Sequence, residues 1–194
     1  MQELVSLVEL LSMLVLDPRS ATLLALLAIA AVSDYRSYRI PNWLTFGGAA
    51  FALLYSAYVP FVPGLGFLWA LGGLALGLVL LLPAYAFRVM GAGDVKLMAM
   101  CGAFLGVDHI IPAVLLSFIV GGAAAIGTAL YRRALVRMAS NVKDIGKIVM
   151  MSAATGVLPG GALKGIASVG KLPYGVCIAA GTAGYLVARQ LGYL

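Results

Sequence analysis

No charged side chain stands between Phe67 and Phe87, and none between Ile110 and Tyr131. A helix needs about 20 apolar residues to cross the hydrocarbon of a bilayer, so each stretch is long enough to do so. A soluble core of 194 residues could not hide them together with the rest of a chain that is 63% hydrophobic and 10% charged, with a mean hydropathy of +1.06. The expected fold is therefore an all-α, polytopic membrane protein.

Apolar runs bounded by charges or by Pro and Gly clusters give six candidate transmembrane helices: Ser20 to Ser33, Leu44 to Val62, Phe67 to Phe87, Val95 to Val107, Ile110 to Tyr131 and Pro173 to Ala188. The first and fourth fall short of a full crossing and must recruit flanking residues or pack inside the bundle. Ahead of them, Leu4 to Leu16 carries Glu9 and ends at Asp17-Pro18-Arg19, which favours an interfacial helix within residues 1–19. It lacks the positive start of a signal peptide and is expected to stay on the mature protein. Residues 132–171 form a basic, then Gly-rich, loop in which Ile148 to Ala162 is apolar enough to lie on or dip into the membrane. The whole chain, 1–194, reads as a single domain without repeats. Small-residue clusters at Leu71-Gly72-Gly73-Leu74 and Gly121-Gly122-Ala123-Ala124-Ala125 permit close helix approach. Trp43, Tyr58, Trp69 and Tyr85 fall near span ends, where rings meet headgroups.

The formal charge of +6 could on a soluble domain point to nucleic acid. Here the bias of basic residues toward the cytoplasmic side accounts for it, and no nucleic-acid partner is expected. With six crossings, Arg36, Arg39, Arg88, Lys96, Arg132, Arg133, Arg137, Lys143, Lys147, Lys164 and Lys171 fall inside, and only Arg19 and Arg189 of the 13 Lys and Arg fall outside.

Two acids stand out. Asp94 ends Gly91-Ala92-Gly93-Asp94 between two apolar runs, and Asp34 ends the run from Ala21 to Ser33. Ionisable groups at a membrane boundary are functional by default. Two crossings separate them, and an even number returns the chain to the side it left, so both face one compartment. Peptide hydrolysis by two carboxylates needs one ionised as base for water and the other protonated to polarise the carbonyl, a division that like charges held together bring about. Gly91 and Gly93 would let a substrate backbone approach. Metal-ligand spacing is absent: Cys101 and Cys177 stand alone in apolar runs, and His109 follows Asp108 in a polar break that reads as a connecting loop. No metal and no cofactor are expected.

Asp34 followed by Arg36, Arg39 and Ile40-Pro41-Asn42, then Gly91-Ala92-Gly93-Asp94-Val95-Lys96-Leu97, and finally Lys171-Leu172-Pro173-Tyr174-Gly175 resemble, in this order, the motifs of the type IV prepilin peptidases, Gly-x-Gly-Asp intramembrane aspartyl proteases. The resemblance spans nearly the whole chain. It implies that Asp34 and Asp94 are the catalytic pair, that the substrate is a prepilin-like precursor, and that a basic leader is removed at the cytoplasmic face of the bacterial inner membrane in type IV pilus biogenesis. Larger members carry paired Cys-x-x-Cys motifs and methylate the new amino terminus. This chain has no Cys-x-x-Cys, so methyltransferase activity is not expected, and it looks like the short, peptidase-only members serving tight-adherence (Flp) pili. The presenilin branch would show Tyr-Asp at the first aspartate, where Ser33 stands here.

Other readings bear on the same residues. Asp34 could be a helix-end acid paired with Arg36 or Arg39, and Asp144 among Lys143 and Lys147 reads as a solvated ion pair. Lys96 lies two residues from Asp94, on a different helix face, and would snorkel to the headgroups. Pro41 and Asn42 read as architecture between two helices. Arg36 and Lys96 are also the substrate-binding candidates for an acidic side chain just beyond the scissile bond. A different class of function is a small proton- or cation-coupled transporter using Asp34 and Asp94 as a relay, though transporter sites tend toward the midplane. A non-catalytic assembly subunit would tolerate Asn at both positions.

Overall fold

The computed structural model describes residues 16–60, 64–86, 90–131 and 172–192, with isolated positions at 12, 140, 143, 144, 146, 147, 150 and 151. The described residues form five helices and no strand: α1 (Pro18–Ser37), α2 (Asn42–Tyr58), α3 (Gly66–Ala86), α4 (Ala92–Tyr131) and α5 (Tyr174–Gln190). The expected interfacial helix before Leu16, the side chains of Arg88 and Lys171, and most of the 132–171 loop lie outside the described residues.

α1 starts where its sequence supplies a cap: the Asp17 carboxylate accepts from the Ser20 N–H at 3.0 Å, and Pro18 takes a first-turn position that needs no donor. It stops at Tyr38, whose left-handed backbone (φ 51, ψ 35) closes the helix through an N–H bond to the Asp34 carbonyl. Leu23, Leu27, Ala30 and Asp34 share one buried face, the spacing of a helical stripe. α2 begins after Pro41, which has no N–H to lose and cannot extend α1.

α4 is not one straight rod. Gly106 has φ 74 and ψ −178, a conformation essentially restricted to glycine. Met98 and Val114, sixteen residues apart, line the same small cavity, whereas a straight helix would separate them by about 24 Å. The chain therefore doubles back at Gly106. The expected loop at Asp108-His109 is corrected: the turn comes earlier, and both residues are already helical. The first arm is the centre of the molecule, with every residue from Leu97 to Gly106 buried. Its small residues allow that enclosure. Gly102 and Gly106 meet Gly73 of α3 so closely that a Cβ on Gly73 would strike their backbones, and Gly181 of α5 sits equally tightly on Ser117 of the second arm.

The outer surface is apolar. Among the described residues, α3 and α4 are the two helices long and apolar enough to cross a membrane, with mean hydropathy 2.2 and only 28% of their most apolar windows buried. Phe46, Leu54, Leu68, Ile119 and Leu130 are exposed on α2, α3 and the second arm of α4, surface that water would not tolerate over such an extent. Trp43, Tyr58 and Tyr85 are exposed as headgroup anchors should be, but Trp69 is not one: it is 8% exposed, and its indole N–H donates to Asp108 at 2.9 Å.

Candidate active site

Asp34 belongs to the buried stripe of α1, and this decides its environment. Its side chain points into the bundle at 5% exposure, while Arg36 and Arg39 lie exposed on other faces. The surface-pair reading is thereby set aside: among the described residues no ion pair joins Asp34 to either arginine. The carboxylate instead accepts the Gly175 N–H at 2.7 Å, a contact between α1 and the first turn of α5. A Cβ on Gly175 would lie 2.9 Å from that same carboxylate oxygen and 3.0 Å from its carbon. Only glycine lets the backbone come this close without a shift.

Asp94 occupies the third position of α4 and reaches back to the Gly91 N–H at 3.0 Å, the geometry by which an acidic side chain caps a helix start. It is 8% exposed. A Cβ on Gly91 would sit 3.3 Å from the Asp94 carboxylate, which would have to give by a few tenths of an ångström. Gly93 faces Ile40, where a Cβ would make contact at 3.4 Å. The two motifs are thus packed on each other. Lys96 adds a second link, donating to the Asn42 carboxamide at 3.0 Å and lying 5.2 Å from the centre of the Phe46 ring. It turns away from Asp94, as its spacing requires.

Asp34 and Asp94 lie within electrostatic reach of each other and of Cys177, two residues beyond Gly175. Among the described residues, each carboxylate accepts hydrogen bonds only from backbone N–H groups. A buried ionised acid without a cation costs several kcal/mol, so two such acids within electrostatic reach of each other are poor architecture. They suit a site in which one proton is shared and a water is activated. Among the described residues no group of three or more His, Cys, Asp or Glu could hold a metal ion.

The structure brings together Asp34, Asp94, Gly91 and Gly93, keeps Lys96 at the rim in the grip of Asn42, and leaves Arg36 exposed on the outer side of α1. Gly175 is the site residue whose part the sequence does not reveal. Its motif was visible in the sequence, yet nothing in the letters says that its N–H meets Asp34.

The family model described as the type IV leader peptidase family matches residues 21–126, which include both aspartates. No curated protein and no solved structure matches the chain. The matched segment is more than half of the sequence, and the chain belongs to the type IV leader peptidase family. That is a family of proteases, aspartic in type, and with the apolar α3 and α4 it marks a membrane protein.

Proposed function

We propose that this protein is an intramembrane aspartyl endopeptidase that removes the basic leader from prepilin-like precursors at the cytoplasmic face of the bacterial inner membrane, with Asp34 and Asp94 as the catalytic dyad. The observation that carries the reading is the convergence of two buried carboxylates from α1 and α4, each held by a glycine N–H and, among the described residues, neither neutralised by a cation. One carboxylate takes a proton from water as its oxygen adds to the scissile carbonyl, and the other donates its proton to the carbonyl oxygen. Collapse of the tetrahedral intermediate breaks the C–N bond, with a proton passed to the leaving amine. Gly91 and Gly93, exposed and half-buried beside Asp94, leave space for the substrate backbone.

The doubling of α4 at Gly106 supports six crossings, because its two arms provide two passes where the helix boundaries give one. The even number of passes between Asp34 and Asp94 accords with both acids lying at one end of the bundle. Family membership favours hydrolysis over the transport reading.

Incubating purified protein with a precursor carrying a basic leader, and weighing the products by mass spectrometry, tests the proposal. Release of an intact leader and mature chain is expected. No cleavage, together with proton or cation flux in proteoliposomes, would favour the relay instead.

A further inference from the structure

Beside the dyad the bundle holds a small cavity of about 10 Å3, close to the space that one water takes. Its lining ties it to both carboxylates. Met90 stands immediately before Gly91, whose N–H meets Asp94, and Tyr174 stands immediately before Gly175, whose N–H meets Asp34; both line the cavity. Met98 lines it as well, one turn beyond Asp94 and on the same helix face. Cys177, on the same wall, is within electrostatic reach of both acids, and Tyr174 is within reach of Asp94. The cavity therefore adjoins the place where a scissile bond would lie.

α3, both arms of α4 and α5 each supply a wall. Leu81, Met98, Val114, Cys177 and Ile178 are all at most 4% exposed, whereas Phe118 is 44% exposed and Tyr174 half-buried, so these two rings form the edge. The Tyr174 ring rests on the second arm, where a Cβ on Gly121 would lie 3.6 Å from it. The Ser117 hydroxyl is turned to the Ala113 carbonyl at 2.8 Å, and the Cys177 thiol to the Pro173 carbonyl at 3.8 Å. A water needs two to four polar partners, and these two groups are already engaged with the backbone. An aliphatic group needs none. A substrate held in extended form turns successive side chains to opposite faces, so one of the two residues flanking the scissile bond turns toward this wall.

We propose that this cavity is the specificity pocket for that residue, admitting a side chain of at most a methyl group and excluding branched or aromatic ones, with Val114 and Phe118 setting the limit. A larger group would have to displace side chains that are already packed. The inference rests on the peptidase reading above.

Precursors carrying Gly, Ala, Val, Leu or Phe at each of the two positions flanking the scissile bond, cleaved by the purified unmodified protein, locate the limited position. At one of the two, Val or anything larger is expected to lower kcat/KM by about tenfold or more relative to Ala, the scale on which a pocket distinguishes added methylenes. Phe118→Ala, at the exposed edge, is expected to raise the Leu-to-Ala ratio of kcat/KM about tenfold, with Phe118→Leu in between, and Val114→Ala should raise the Val-to-Ala ratio. A ratio cancels any general loss of folded enzyme, and the melting temperature in detergent checks that each variant folds. Cleavage with no size limit at either position, or with ratios unchanged in both alanine variants, would overturn the pocket and leave the peptidase reading standing. No cleavage of any precursor by the unmodified protein would remove both.

Discussion

At the scale of single residues, the decisive contact is the Gly175 N–H on Asp34 at 2.7 Å. Gly175→Ala places a methyl carbon 2.9 Å from the accepting oxygen, so either the carboxylate turns or the first turn of α5 retreats. Precursor cleavage is expected to fall by about a hundredfold, the scale of losing a well-placed acid or base, with only a small change in melting temperature. Activity near the unmodified level would show that the glycine is there for packing alone. A second expectation concerns substrate choice. Arg36 is exposed while Lys96 is engaged by Asn42, so of the two candidates to receive an acidic side chain just beyond the scissile bond Arg36 is the one to test first. Changing that substrate residue from Glu to Lys should slow cleavage by about tenfold or more, and Arg36→Glu should recover part of it. Equal cleavage of both substrates would leave Arg36 a role in topology only. The sequence made both aspartates and the Gly-x-Gly-Asp turn legible because motif spacing encodes them. It could not show the Gly175 and Asn42 contacts, because a hydrogen bond across 141 residues is set by how helices dock and not by spacing.

At the scale of elements, the apolar runs located the helices well, since hydrophobic length is set locally. Ser20 to Ser33 became Pro18–Ser37, and Pro173 to Ala188 became Tyr174–Gln190. The boundary that moved is informative. Charge suggested a break at Asp108-His109, but helix geometry tolerates those residues once Asp108 is bound by Trp69 and His109 Nδ1 pairs with the Tyr185 hydroxyl at 2.8 Å. The turn falls instead on Gly106, whose backbone conformation excludes side chains and whose missing Cβ makes room for the Trp69 ring. Gly106→Ala should therefore destabilise the protein by about 1–3 kcal/mol from backbone strain, before the clash with Trp69 is added. Thermal unfolding in detergent measures it. A melting temperature equal to that of the unmodified protein would mean the chain can reverse without this glycine.

At the scale of the whole molecule, the first arm of α4 is enclosed by its neighbours, and the carboxylates proposed as catalytic and a cavity lined by Arg19 and Arg189 sit at opposite ends of the bundle. On the proposed topology, the positive-inside bias is expected to orient the dyad toward the cytoplasm. Single cysteines at Ser37 and Ser140, both exposed, in a background lacking Cys101 and Cys177, should resist impermeant thiol reagents added to intact cells and react after lysis. Rapid labelling of either from outside would reverse the orientation. The claim on which the account depends is that Asp34 and Asp94 act as one unit. Initial rates of precursor cleavage by the purified unmodified protein, Asp34→Asn, Asp94→Asn and the double variant test it most directly. Each single variant should lose activity by at least about a hundredfold, and the double should be no worse than either, because groups acting together are not additive. Substantial processing by either single variant would contradict the dyad.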